Sequence, residues 1–160
     1  MVKLRTARRD DEGPIRRLEV ATWSPRSGPG PRPDPEREFF ARFTPENVIV
    51  AVDGEAPVGY LILGPWTELE SARHVLLING LAVDPERHRE GIGAMLLAAG
   101  IDRARREGAR RLLLRVLSTN AGARRLYERH GFETEGVLRE SFLLEGAYVD
   151  DLFMALDLTR

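Results

Sequence analysis

A chain of 160 residues fits one domain and is long enough to bury a core of its own. Its 24 Lys and Arg against 25 Asp and Glu leave a net charge of -1, which excludes nucleic-acid binding by bulk charge. With no cysteine there is no disulfide framework, no thiolate nucleophile and no cysteine-type zinc site, as suits a reducing cytoplasm.

The opening MVKLRTARRDDEG lacks the apolar core of a signal peptide, and no run approaches membrane-spanning length. The expectation is a soluble cytoplasmic protein with no membrane and no nucleic-acid partner. KLRTA alternates polar and apolar residues and reads as a first strand. Asp10 or Asp11 then caps a helix with Pro14 in its first turn and Ile15, Leu18 and Ala21 or Thr22 along one side. Ser24 to Pro35 is too rich in proline and glycine for regular structure, and serves either as a flexible connection or as a substrate lid. EREFFARF predicts a short second helix. Val48–Val52 and Val58–Leu63 form a hairpin turning at Asp53-Gly54. A third apolar run, HVLLINGLAV, stops at Asp84-Pro85. A helix follows to about Glu107, where Gly108 supplies a left-handed cap. RRLLLRVL is nearly continuous in apolar content and predicts a strand buried on both faces. A helix from Asn120 to His130 ends at Gly131, and two final strands turn at Glu145-Gly146. Helices alternating with strands, flanked by hairpins, predict an α/β fold on a mixed sheet.

RHREGIGAML, Arg87 to Leu96, sets two glycines at the start of the long helix. The first turn of a helix carries N–H groups without intrahelical partners and the positive end of its dipole. Glycines there let a phosphate approach the backbone, although a tight loop needing small residues would look the same. A P-loop would close on Gly-Lys-Ser/Thr, and Ala94-Met95 follow Gly93 instead. A dinucleotide fingerprint would place its third glycine at Leu96. The second half of the chain adds LSTNAGARRLYERHGF, a strand end, a capping Asn120, and Ala123, Leu126, Tyr127 and His130 along one helix face.

Together GLAVDPERHREGIGAMLL and N…LYERHGF resemble the two motifs of the GNAT family of acetyl-CoA-dependent N-acetyltransferases. The first family motif is Gln/Arg-x-x-Gly-x-Gly/Ala after a strand. Here His88 stands at its first position, with Arg89 beside it. The resemblance covers the chain, 1–160, as a single GNAT domain and is most specific from Leu81 to Phe132. It implies a central mixed sheet with two splayed parallel strands flanked by helices, with coenzyme A in the opening. Acetyl-CoA is then the co-substrate, with no metal, and a primary amine the acceptor. A homodimer is common in the family. The implied cofactor contacts are the strand backbone at Leu81, Ala82 and Val83, and the N–H groups of Arg89, Glu90, Gly91, Ile92, Gly93 and Ala94 beneath the pyrophosphate. His88 or Arg89 adds a side chain, and Asn120 either holds the pantetheine or caps its helix. Tyr127 faces the sulfur as the catalytic residue, although spacing alone reads it as a half-buried aromatic.

The proton acceptor is harder to place. The branch acting on ribosomal-protein amino termini carries a glutamate base five residues before the motif asparagine, and this chain has Arg115 there. His74 and Asn79 lie on the central strand, while Glu68, Glu70, Asp150 and Asp151 qualify if their segments reach the opening. A lysine-like acceptor costs roughly 4–5 kcal/mol to deprotonate at pH 7 and an α-amine only about 1, so the expectation is a water-relayed base or an acceptor of modest pKa. Trp23 and Trp66 line the acceptor pocket or belong to the core. The tail GVLRESFLLEGAYVDD is similar to that of members acting on amino acids or protein amino termini. Direct acetyl transfer is expected, since no cysteine is present to carry the group. The rival is a non-catalytic acyl-CoA-binding or regulatory domain of the same fold.

Overall fold

The apolar runs become seven strands: β1 (Val2–Thr6), β2 (Val48–Asp53), β3 (Ala56–Pro65), β4 (Val75–Val83), β5 (Arg111–Leu117), β6 (Glu133–Leu144) and β7 (Ala147–Asp157). In the computed structural model, which describes residues 1–160, they make one mixed sheet ordered β1-β2-β3-β4-β5-β7-β6. Helix α1 (Glu12–Thr22) packs on one face; α2 (Ile92–Arg106) and α3 (Ala121–Arg129) belong to the other. Alternate residues of β2 therefore serve different cores. Val48, Val50 and Val52 meet Ile15 and Leu18 of α1, while Ile49 and Ala51 join Leu96, Leu97 and Ile101 of α2. That two-sided cover explains why β2 shows an apolar run rather than alternation. No helix is long and apolar enough to cross a membrane.

Both expected hairpins form. Gly54 lies in the β2–β3 turn at φ 62, and Glu145 and Gly146 both take positive φ between β6 and β7, as a two-residue primed turn requires. Gly108 ends α2 at φ 80 as expected.

Three expectations differ. EREFFARF forms a single 3-10 turn, Phe39–Ala41, rather than a helix. The Glu12 carboxylate accepts from the N–H groups of Phe39 (2.5 Å) and Phe40 (2.8 Å), and the Phe39 ring is buried against Tyr60 at 5.3 Å. A tertiary anchor thus fixes the backbone at Phe39 and Phe40. Asp11 stands at the start of α1, but its carboxylate does not cap that helix. It accepts two bonds from Arg5 (2.7 and 2.9 Å) and one from the Arg8 N–H (2.7 Å). Finally, β5 is covered fully on one face only. Leu112, Leu114 and Val116 enter the core beneath α2, whereas Arg115 on the opposite face is exposed, because α1 lies over β3 and β4 and leaves β5 open.

Arg5 holds the Asp11 carboxyl below its ordinary pKa, chiefly by direct hydrogen bonding. A depressed carboxylate contributes stability above its unfolded pKa and loses it as pH falls through the folded one. Asp11→Asn is expected to cost about 2 kcal/mol in urea unfolding at pH 7, with the gap to wild type closing in acid.

Candidate active site

Only one neighbouring pair in this sheet is parallel, and its ladder is short. β4 and β5 pair from Val75↔Arg111 to Ile78↔Leu114 and no further. Beyond that rung each strand keeps its outer partner: β4 stays with β3 through Val83↔Gly59, and β5 stays with β7 through Leu117↔Asp151. The β3–β4 register slips at Ile62/Leu63, leaving Asn79 as the extra residue of a bulge. A bulge bends its strand and sharpens its twist, and this one falls where the parallel ladder stops. The result is a parting between the strands, with a stretch of β4 backbone from Asn79 to Val83 unpaired on that side.

The α2 N-terminus borders the parting. Asp84 accepts from the Glu86 N–H (3.0 Å) and closes the turn Pro85–Arg87. Arg89 (φ 71) and Gly91 (φ 76) then both adopt the left-handed conformation. Alternation of this kind turns successive N–H groups toward one side and makes an anion-binding concavity. Gly91 is essential to it, since a Cβ there would be strained although nothing lies within 4 Å of its position. Gly93 is different: its Cβ would meet Leu126 at 3.6 Å and Val83 at 3.8 Å, so its absence widens the floor between β4 and α3. Arg87 fastens this loop to the β2–β3 turn through Asp53 (3.0 Å) and to Glu90 (2.8 Å), and these partners, Glu90 foremost, raise its pKa further.

A cleft of about 1010 Å³ occupies the parting. Leu81, Ala82, Val83, His88, Arg89, Gly91, Ile92, Gly93, Ala94, Asn120 and Tyr127 all line it. Glu90 does not; its side chain is spent on Arg87, which leaves only its backbone for a ligand. Asn120 accepts from the Ala123 N–H at 3.3 Å, so it caps α3 while facing the cleft. Tyr127 is 8% exposed and tilts against Phe132, ring centroids 5.9 Å apart. Desolvation alone pushes its phenol up to about 12.

On the α1 side Glu19, Thr22 and Trp23 line the cleft together with Ser27, Gly28 and Pro33 of the proline-rich segment, which folds back as a wall. The Trp23 indole N–H donates to the Gly30 carbonyl at 3.2 Å and pins that fold. Trp66 stands outside the cleft, edge-on to Phe153 at 6.3 Å. Asn79 of the central strand reaches the cleft, and none of the candidate bases does. Glu68 is exposed and Glu70 pairs with Arg73 (2.7 Å). Asp150 accepts from the Glu140 N–H (2.8 Å), Asp151 is buried against Arg115, and His74 lies at the far end of β4. The one carboxylate lining the cleft is Glu19, clamped by Arg42 through both oxygens at 2.7 Å. A signal for it existed: Ile15, Leu18, Glu19 and Thr22 follow the i, i+3, i+4, i+7 spacing of one helix face.

Residues 15–132 match the sequence model of the acetyltransferase (GNAT) family. The chain belongs to this family. Over 112 residues it is 33% identical to the L-methionine sulfoximine/L-methionine sulfone acetyltransferase of Pseudomonas paraeruginosa. The match covers 69% of this chain and 64% of that relative, so it spans under two thirds of the relative's length. Among solved structures, smu.2055 of Streptococcus mutans superposes with a TM-score of 0.89 and 29% identity, covering 98% of this chain and 99% of that one. The yncA protein of Salmonella typhimurium, solved with its cofactor acetyl-CoA, shares the GNAT fold at a TM-score of 0.85 and 23% identity, covering 99% and 94%.

Gly91→Ala forces an L side chain into the left-handed region at a cost of about 1–2 kcal/mol. It is expected to lower the denaturation midpoint accordingly and, by re-aiming the N–H groups, to weaken acetyl-CoA binding by about tenfold or more, read by calorimetry at a temperature where the variant is folded.

Proposed function

We propose that this chain, acting as one GNAT domain, transfers the acetyl group of acetyl-CoA directly to a primary amine of an amino acid, a peptide amino terminus or another small amine. The observation that carries this reading is the parting of β4 from β5 beside the left-handed Arg89-Glu90-Gly91 turn. An unpaired strand edge accepts an amide-bearing chain as an added strand, and a concavity of N–H groups accepts the diphosphate at its end. One cleft is lined by both, from Leu81–Val83 to the turn at Arg89 and Gly91. Leu81, Ala82 and Val83 hold the pantetheine amides in this arrangement, and Arg89 to Ala94 the diphosphate, with His88 and Arg89 flanking it. Acetyl-CoA, when bound, supplies an acyl group already activated as a thioester.

The protein's own groups then orient and move protons. N–H groups of the unpaired β4 edge donate to a carbonyl oxygen laid against them and stabilise negative charge there. Tyr127 keeps its proton across the physiological range, because burial favours the neutral phenol, and donates a hydrogen bond toward the departing sulfur. The acceptor gives up its proton to water, in keeping with the ion pair that Arg42 makes with Glu19, the one carboxylate of the cleft. The acceptor class is supported by the relative that acts on methionine sulfoximine and methionine sulfone. A cytoplasmic location and a homodimer are part of the same reading, and Val137, Leu138, Leu143 and Tyr148, which expose apolar surface along the β6–β7 hairpin, support the dimer.

Calorimetry with acetyl-CoA and release of free thiol across an amine panel test the proposal. Binding with turnover supports it; binding without turnover on any amine would favour a non-catalytic acyl-CoA-binding domain. Tyr127→Phe is expected to lower kcat about 10²-fold with little change in the acetyl-CoA Kd. In wild type, kcat/KM is expected to rise with pH as the acceptor deprotonates. No descending limb from Tyr127 is expected until pH approaches 12, because its raised pKa keeps the donating form populated below that value.

A further inference from the structure

Arg115 is the first residue of β5 past the last parallel rung, Ile78↔Leu114, and it lines the cleft. Leu114 and Val116 point into the core beneath α2, so Arg115 points to the opposite face, the face of α1. Its guanidinium is fixed before any ligand arrives. Nε donates to Asp151 Oδ2 at 2.9 Å and Nη2 donates to the same oxygen, while the Phe153 ring lies 5.1 Å beneath it. Trp66 in turn braces Phe153 edge-on. Asp151 is nearly inaccessible, with 4% of its side chain exposed, yet the Arg115 side chain remains 49% exposed.

A guanidinium has two forked edges, each presenting two parallel N–H groups. Asp151 takes the Nε–Nη2 edge, which leaves the Nη1–Nη2 edge free and matched in geometry to a second carboxylate. The other arginines of the cleft lie elsewhere: Arg87 and Arg89 before α2, Arg125 and Arg129 on α3. Arg87 and Arg89 flank the turn assigned above to the diphosphate, and Arg125 and Arg129 belong to the α3 wall. Arg115 stands at the apex of the parting, on the side from which an acceptor comes when the donor lies against α2 and α3.

We infer that Arg115 is a specificity residue that binds the α-carboxylate of the acceptor, and that the acceptor is a free α-amino acid rather than a peptide amino terminus or a simple amine. The inference rests on the transferase reading above. In an α-amino acid the nitrogen is two bonds from the carboxyl carbon. Docking the carboxylate on the free fork therefore holds the amine close to the apex, next to the unpaired N–H groups of β4. A peptide amino terminus carries a neutral carbonyl at that position and forfeits the charge-assisted pair.

The test compares L-amino acids and L-methionine sulfone with their carboxamides and decarboxylated amines, by thiol release with acetyl-CoA, in wild type, Arg115→Met and Arg115→Lys. For at least one amino acid, wild-type kcat/KM is expected to exceed that of the matched carboxamide by about tenfold or more, mostly through KM. Arg115→Met should erase that ratio, and Arg115→Lys, which keeps the charge without the fork, should restore part of it. A merely structural partner of Asp151 would lower rates on acid and carboxamide alike and leave the ratio unchanged, which overturns the inference. Wild-type turnover of carboxamides or peptides at rates equal to the free acids overturns it without any variant, and leaves the transferase reading intact. Calorimetry separates the remaining case, since loss of both readings requires that wild type fail to bind acetyl-CoA or fail to turn over every amine.

Discussion

Four rungs of parallel pairing, and their abrupt end, govern the rest of this structure. Had β4 and β5 continued side by side, every backbone group between Asn79 and Val83 would be spent inside the sheet. They part because each is held on its outer flank, β4 by β3 and β5 by β7, and the Asn79 bulge turns β4 away where the ladder stops. Unpaired backbone donors and acceptors are costly when buried without partners, so an open edge of this kind persists only as a ligand site or against water. The cleft follows from the sheet's own hydrogen-bond accounting.

Around the parting, side-chain chemistry is arranged by face. The α2 and α3 side supplies left-handed backbone at Arg89 and Gly91, the Arg87 tether, and the desolvated Tyr127. The α1 side supplies Glu19 locked to Arg42, the Trp23 wall and the braced Arg115. Donor and acceptor would thus meet from opposite faces of one sheet, each met by preset groups. Arg89 is the clearest instance of strain retained for such a purpose. A non-glycine residue in the left-handed region costs about 1 kcal/mol or more, and it persists here beside glycine in the helix-opening turn.

Much of the fold was legible because its signals are local. β2, β4 and β5 show as apolar runs; Gly54, Gly108 and Gly146 mark left-handed turns; and the family motifs fall on the parting and on α3. The helix expected at EREFFARF does not form, because Glu12, 27 residues before Phe39 in the chain, anchors that backbone through the Phe39 N–H. Arg115 and Asp151 show the same limit from another side. Each reads as an ordinary charge in sequence, and only the antiparallel register of β5 with β7 makes them partners.

By itself the sequence determined the order and type of the main elements, the family, the glycine-bearing turn before α2 and the candidate tyrosine, because periodicity, turn residues and motif spacing are properties of neighbours along the chain. Tertiary structure alone decided where β4 leaves β5, that Glu19 rather than an expected carboxylate faces the cleft, and which edge of Arg115 stays free. Those outcomes depend on pairings between residues tens of positions apart, settled by competition among strands and helices for the same backbone and side-chain partners.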